Sequence, residues 1–194
     1  MSLKDRVYSV LAISSTEKFN EQISTLLDRS VYYPIDFAKS VGGAERRLAE
    51  KDYDIVLVNT PLSDDFGARF AIDISINSHA VALMFVKSEI YDGVYEKVCD
   101  YGVFTVKKPI NVQIVLQSLD FLKAARERLR RMEKKSVSLQ EKMEEIKIVN
   151  RAKLLLISAL SMTEGEAHRY IEKQAMDRCV TKREIAETII KTYR

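Results

Sequence analysis

The chain has 194 residues, 30% of them charged, with no Trp, which is enough for one ordinary domain and a small second one. No apolar run approaches the roughly 18–20 residues of a membrane span and no signal-like stretch follows Met1, so a cytoplasmic protein with no membrane partner is expected. The two cysteines, Cys99 and Cys179, lie far apart without metal-ligand spacing, which reads as free thiols in a reducing compartment and predicts neither metal nor cofactor.

The net charge of +3 hides an asymmetry. Residues 1–122 carry 13 basic against 17 acidic residues, and residues 123–194 carry 18 against 11. A basic C-terminal part beside an acidic N-terminal part points to a polyanion as partner for the former. A solvated helical face would show the same bias, so charge alone leaves both readings open.

In chain order, residues 7–13 (VYSVLAI) form an apolar, β-branched run and predict a buried strand. Residues 16–29 show helical spacing through Phe19, Ile23, Leu26 and Leu27. A second strand is predicted over 31–38, a short helix over 43–51 and a third strand over 54–58 (DIVLV). Then follow a helix over 67–76, a strand over 80–86 (AVALMFV), a helix over 91–101 and a fifth strand over 103–106. Five strands alternating with helices imply an α/β doubly wound, five-stranded parallel sheet with right-handed crossovers.

This pattern resembles the receiver domain of response regulators. Asp54-Ile-Val-Leu-Val-Asn59 is similar to the strand that ends in the phosphoacceptor, and Lys108-Pro109 to the Lys-Pro pair after the fifth strand. The resemblance implies a phosphorylation site at the carboxyl ends of the strands, where open α/β sheets bind ligands. The residues for that chemistry differ. Where the family holds Mg²⁺ with an acidic pair, this chain has Ser14-Ser15, and hydroxyls do not neutralise a hard dication as carboxylates do. The phosphoacceptor position is Asn59, a neutral amide without a nucleophilic carboxylate oxygen. The family's Thr or Ser after the fourth strand falls at Val86 or Lys87, with Ser88 slightly late, so only Lys108 matches. Asp64-Asp65 lie in the next loop, but two carboxylates without further oxygen ligands make a weak cation site, and a solvated loop is expected. The whole reads as a degenerate receiver that keeps the fold and loses the phosphoryl chemistry.

After Pro109 the chain runs to Asn150 without Pro or Gly. Leu122, Ala125, Leu129, Met132, Ser136, Leu139, Met143, Ile146 and Asn150 step by alternating threes and fours, a heptad seam of about four heptads. It predicts a long coiled-coil helix that pairs two copies, with Asn150 at an a position fixing register. Lys142 and Lys147 flank the seam with like charge and predict a splayed lower coil. A monomeric helix packing the seam on its own domain is the alternative.

The remainder predicts a small three-helix all-α module, with breaks near Ser161 and near Cys179-Val180. Thr163-Glu164-Gly165-Glu166 and Thr181-Lys182-Arg183-Glu184 read as two capping boxes. On the second helix of the module Ala167, Ile171 and Ala175 share one face and should be core, with Tyr170 beside them. His168 reads as a surface residue. We therefore divide the chain at 1–121, 122–148 and 149–194.

Ala152-Lys153, Glu166-Ala167, Gln174-Ala175-Met176-Asp177-Arg178 and Ile185-Ala186-Glu187 resemble the ANTAR domain, whose members bind RNA and act as transcription antiterminators. One position departs. Leu154 stands where that family usually has a small residue after the Ala-Lys pair, which bears on how closely the first helix approaches a neighbour. The resemblance implies RNA hairpins of leader transcripts as partners, RNA polymerase as an indirect one, and two-component signalling as the setting. Candidate RNA-binding residues are Lys153, Arg169, Lys173, Gln174, Arg178, Lys182 and Arg183, with Arg151, Lys191 and Arg194 completing the positive set. Lys182 and Arg183 open a helix whose N–H groups favour phosphate, while unpaired bases would be taken by stacking and edge hydrogen bonds. No nucleophile–base pair, phosphate-cradling Gly loop or metal cluster is legible, so an enzyme is not expected. Two other classes remain open. Thr181 to Glu187 resembles part of a helix-turn-helix, as in a DNA-binding transcription factor, and the heptad seam alone would suit a signalling adaptor.

Overall fold

The computed structural model describes residues 6–193; residues 1–5 and Arg194 lie outside the described part. The chain forms two compact units, residues 1–131 and 132–194.

In the first unit, strands β1 (Tyr8–Ile13), β2 (Tyr32–Ala38), β3 (Ile55–Asn59), β4 (Val81–Lys87) and β5 (Phe104–Lys108) alternate with helices α1 (Glu17–Leu26), α2 (Val41–Glu50), α3 (Ala68–Asn77) and α4 (Tyr91–Val98). All neighbouring strands pair in parallel, in the order β2-β1-β3-β4-β5. That is the doubly wound order in which the chain reverses direction beside β1, placing a crevice at the carboxyl ends of β1 and β3. The predicted fold class is the observed one, and its elements fall within a few residues of the predicted positions.

The strands read as continuous apolar runs because both faces are covered. In β3, Val56 and Val58 join one core with Ala44, Phe70 and Val94 of α2, α3 and α4. Ile55 and Leu57 join the other with Phe19 and Ile23 of α1 and with Val115, Leu119 and Leu122. Gly67 opens α3 in a left-handed conformation (φ 89°), where a Cβ would also stand 2.9 Å from Val58 Cγ1, so any side chain there would be both strained and crowded.

Helix α5 (Val112–Leu160) is continuous over 49 residues. Asn111 starts it, its Oδ1 accepting from the backbone N–H groups of Gln113 and Ile114 at 2.9 and 3.3 Å. The absence of Pro and Gly lets it run on. Its first turns belong to the sheet domain. Leu122, expected to open the dimer seam, is fully buried in the core against α1 and the sheet. This corrects the seam, since a side chain spent on its own domain is closed to a partner. The helix periodicity of a core-facing stripe and of a coiled-coil seam coincide over one heptad, which is why sequence did not separate them.

In the second unit α5 ends at Leu160, Ser161 turns the chain with φ 52°, and α6 (Glu164–Arg178) and α7 (Lys182–Thr192) follow. The capping box at Thr163 forms in both directions, Thr163 Oγ1 accepting from Glu166 N and Glu166 accepting from Thr163 N. At Thr181 the hydroxyl accepts from Glu184 N at 3.2 Å. Cys179 ends α6 in the left-handed conformation, and Val180 N–H returns to Ala175 O at 3.0 Å, satisfying carbonyls of the last turn. Ala152 and Leu156 of α5, Ala167, Ile171 and Ala175 of α6, and Ile185, Ala186 and Ile189 of α7 make a separate core. The two predicted breaks lie where the structure has them.

Candidate phosphoacceptor site and nucleic-acid interface

At the carboxyl ends of β1 and β3, Asn59 is buried and donates its side-chain amide to Ser14 Oγ at 2.8 Å and to Thr16 Oγ1 at 3.3 Å. Ser14 in turn shares a hydrogen bond with Thr16 Oγ1 at 3.1 Å and accepts from Thr16 N. Ser15 points to solvent, its hydroxyl 3.5 Å from Pro61 O. The structure thus brings Ser14, Asn59 and Lys108 to one crevice and leaves Ser15 at its rim.

Lys108 donates its ammonium to Thr60 O, and its own carbonyl accepts from Ser88 Oγ. Ser88 therefore does reach the site, one residue beyond β4, but it is spent on backbone. Burial, then the nearby Lys87 charge, push the Lys108 pKa down. A carboxylate at position 59 would counter both effects; Asn59 does not. The crevice is an open recess of about 440 Å³ whose wall includes Lys18, Phe19, Gln22 and Ile110.

Asp64 and Asp65 are not a cation site in this arrangement. Asp64 accepts from Val41 N and Gly42 N at the start of α2, at 3.0 and 3.2 Å, and these backbone bonds hold its carboxyl below the usual range. Asp65 Oδ1 accepts from Gly67 N. Among the described residues no group of three or more His, Cys, Asp or Glu could hold a metal.

A charge network that sequence reading missed lies at the opposite ends of the strands. Asp54, just before β3, accepts from Arg126 Nε at 3.0 Å and Arg130 at 2.6 Å, both on α5, and its other oxygen faces Ser9 N. Glu127 accepts from Arg130 at 2.7 Å and Arg6 at 2.5 Å and receives Tyr8 Oη at 3.3 Å. These residues ride on one helix at i, i+1 and i+4, a spacing indistinguishable in sequence from a solvated charged face.

Beyond Leu122, the seam residues Leu129, Met132, Leu139, Met143 and Ile146 are exposed by 37–60%, and the polar Asn150 is exposed too. Lys147 pairs with Glu144 at 2.8 Å, so its charge is met within the helix, easing the repulsion expected with Lys142. Leu154, the departure from the family pattern, is 66% exposed and stays out of the module core.

The seven candidate RNA-binding residues divide into two groups. Lys153 pairs with Glu164 at 3.1 Å, Lys182 with Glu172 and Arg183 with Glu187 at 2.9 Å. Arg169, Lys173, Gln174 and Arg178 have no hydrogen-bond or ion-pair partner among the described residues and all lie on α6. At 3.6 residues per turn Arg169 and Lys173 point away from the Ala167–Ile171–Ala175 core stripe. Tyr170, Gln174 and Arg178 step by four along the flank that adjoins α7. Tyr170, expected beside the core residues, is 39% exposed. It lines a groove with Gln174, Arg178, Ile189 and Tyr193. His168 is exposed, 3.4 Å from Glu172. Arg194 lies outside the described residues.

A five-stranded sheet in this order, with a polar crevice at the ends of β1 and β3, gives the first unit the fold of receiver domains. Solved receiver domains show the same fold, among them that of an HD domain-containing protein from Pseudomonas fluorescens (TM-score 0.57, 19% identity, covering 64% of this chain and 92% of that one). The beryllofluoride-activated NtrC4 receiver domain dimer is similar (TM-score 0.55, 21% identity, covering 61% and 98%). Residues 138–190 match the family model of the ANTAR domain. The chain thus joins a unit with the receiver fold to a segment that matches the ANTAR domain. It is 30% identical over 98 residues to the transcriptional regulatory protein PdtaR of Mycobacterium tuberculosis, a match spanning half of this chain and 48% of that relative. The ANTAR match reaches back to Ser138, into the stretch read from sequence as linker. No helix among the described residues is long and apolar enough to cross a membrane.

Proposed function

We propose that this chain is a cytoplasmic, non-enzymatic regulator that binds hairpin loops in leader transcripts and thereby prevents terminator formation. The observation that carries the reading is the set of four polar and basic side chains on α6, of which Lys173, Gln174 and Arg178 have no partner among the described residues, inside the segment that matches the ANTAR domain. Arg169 and Lys173 are free to neutralise phosphates. Gln174 and Arg178 flank a groove with two aromatic rings, the kind of surface that takes unpaired bases.

The receiver domain acts in this reading without phosphoryl transfer, as a regulatory and dimerising unit. The exposed stripe from Leu129 to Ile146 supports pairing of two copies along α5. A dimer would present two modules to paired loops and raise their effective concentration.

The test is a salt series of binding to an RNA hairpin, set against a DNA duplex of equal length. Preference for the hairpin with a linear log–log salt slope is expected. Equal affinity for the duplex would support a DNA-binding factor instead, and no affinity for either would leave a coiled-coil signalling adaptor.

A further inference from the structure

We propose that the crevice at the ends of β1 and β3, together with the groove that adjoins it along α1, binds a small organic anion with an apolar body. A ligand there would give the first unit an input without phosphoryl transfer, and RNA binding by the second unit is not required for it to bind.

Two adjoining recesses form the site. The crevice has a volume of about 440 Å³, and a second recess of about 320 Å³ lies along α1. Gln22 and Ile110 line both, so the two share a wall. Each volume falls within the roughly 300–1,000 Å³ of small-molecule sites. Their linings differ in character, and that difference defines the ligand.

The crevice end is positive. Lys18 and Lys108 line it, and no acidic residue does. Lys18 has no hydrogen-bond or ion-pair partner among the described residues. Lys108 is half-buried, and among the described residues its ammonium meets the neutral carbonyl of Thr60 and no carboxylate. A cation drawn partly out of water is stabilised by a counter-charge. With Asn59 neutral, the crevice lining supplies none, and a bound anion would. Helix α1 adds to the same field. Thr16, at its N-cap, makes no side-chain cap bond, so the N–H groups of the first turn lack a side-chain acceptor at the positive end of the helix.

The groove end is apolar, lined by Leu26, Ile110 and Val112, and the charged residue of its lining is Glu21. An anionic head is repelled by Glu21 and drawn to the lysines, which sets the orientation: head at Lys18 and Lys108, body over Ile110 and Val112. Inorganic phosphate has no body and would leave the groove unfilled. Val112 is the first residue of α5, the helix that runs on to Leu160, so an occupant touches the element that leaves this unit.

The experiment titrates the full chain with octanoate by calorimetry, with acetate, inorganic phosphate and octanol as controls. Octanoate should bind at one site per chain. Each control should bind about tenfold more weakly or worse, the scale of one lost charge-assisted contact or of about two buried methylene groups. Lys18→Gln should weaken octanoate about tenfold and leave octanol unchanged. Val112→Glu should weaken both. Both side chains are exposed, so helical content should not change. Phosphate binding as tightly as octanoate, octanoate binding that neither variant alters, or no octanoate binding each overturns the proposal, and none of these outcomes bears on the RNA reading.

Discussion

The Asn59 side-chain amide donates to Ser14 Oγ at 2.8 Å, across the crevice where a receiver would hold its metal. The two neutral side chains satisfy each other, and neither offers a carboxylate to a cation or a phosphoryl group. With Mg²⁺ and acetyl phosphate the intact mass should therefore show no acid-labile phosphate adduct. Asn59→Asp alone should also stay unmodified, because Ser14 and Ser15 supply no carboxylate to the cation. An adduct on the wild-type chain would show that the receiver still works.

Asp54 holds two arginines of α5, and its side chain is only 12% exposed. Removing it takes a carboxylate from Arg126 and from Arg130, which keeps Glu127, so Asp54→Ala should cost about 3 kcal/mol, the low end of the range for breaking a buried ion pair. Denaturant unfolding measures this. Exposed ion pairs such as Lys39 with Glu17 should be silent in the same assay.

The same network gives a pH dependence of known sign. Burial raises the Glu127 pKa, but hydrogen bonds from Arg130 and Arg6 outweigh it, and the net shift is below the usual 4.5. A depressed carboxyl pKa in the folded state means that its contribution is complete above the unfolded value and is lost as pH falls through the folded one. Stability should drop below about pH 4.5, and Glu127→Gln should flatten that acid limb. An unchanged limb would assign the loss to other carboxylates.

Dimerisation should depend on the exposed part of the seam. Leu129→Asp with Leu139→Asp places charge in two layers, each costing several kcal/mol if desolvated by a partner. Sedimentation should show the wild type as a dimer at micromolar concentration and the double variant as a monomer. Leu122→Asp is a poor test, since Leu122 is buried in the receiver core and its loss would unfold that domain. A wild-type monomer would retire the pairing.

Within the module, Arg169→Ala and Lys173→Ala should each weaken hairpin binding and reduce the salt slope by about one contact. Lys182→Ala and Arg183→Ala should weaken it less, because those cations already face Glu172 and Glu187 and must leave them to meet a phosphate. Lys153 is tied to Glu164 in the same way. The reverse order in a salt series would move the phosphate-binding face from α6 to the start of α7.

Local signals carried much of the fold. The β-branched runs of β1, β3 and β4 and the helical spacing of Phe19 and Ile23 are short-range patterns that burial on both faces enforces, so they were readable without a structure. The neutrality of Ser14, Ser15 and Asn59 was equally plain, since these are identities at the ends of recognisable strands. Tyr170 shows where such reading stops. Its position next to a core stripe is compatible with burial or with a groove, and only the packing of α7 against α6 chooses.

The sequence by itself determined the order of elements, the helix breaks at Ser161 and Cys179, and the absence of a carboxylate at Ser14, Ser15 and Asn59, because each follows from residue identity and near neighbours. The tertiary structure alone decided three pairings over long sequence distances. It put Leu122 into the receiver-fold core, Asp54 onto Arg126 and Arg130, and the acids Glu164 and Glu172 onto Lys153 and Lys182 of neighbouring helices. The physical reason is that a side chain's availability depends on what the folded chain brings within reach of it. A lysine beside a carboxylate and a lysine facing water are the same letter in sequence, and they differ only once the helices have packed.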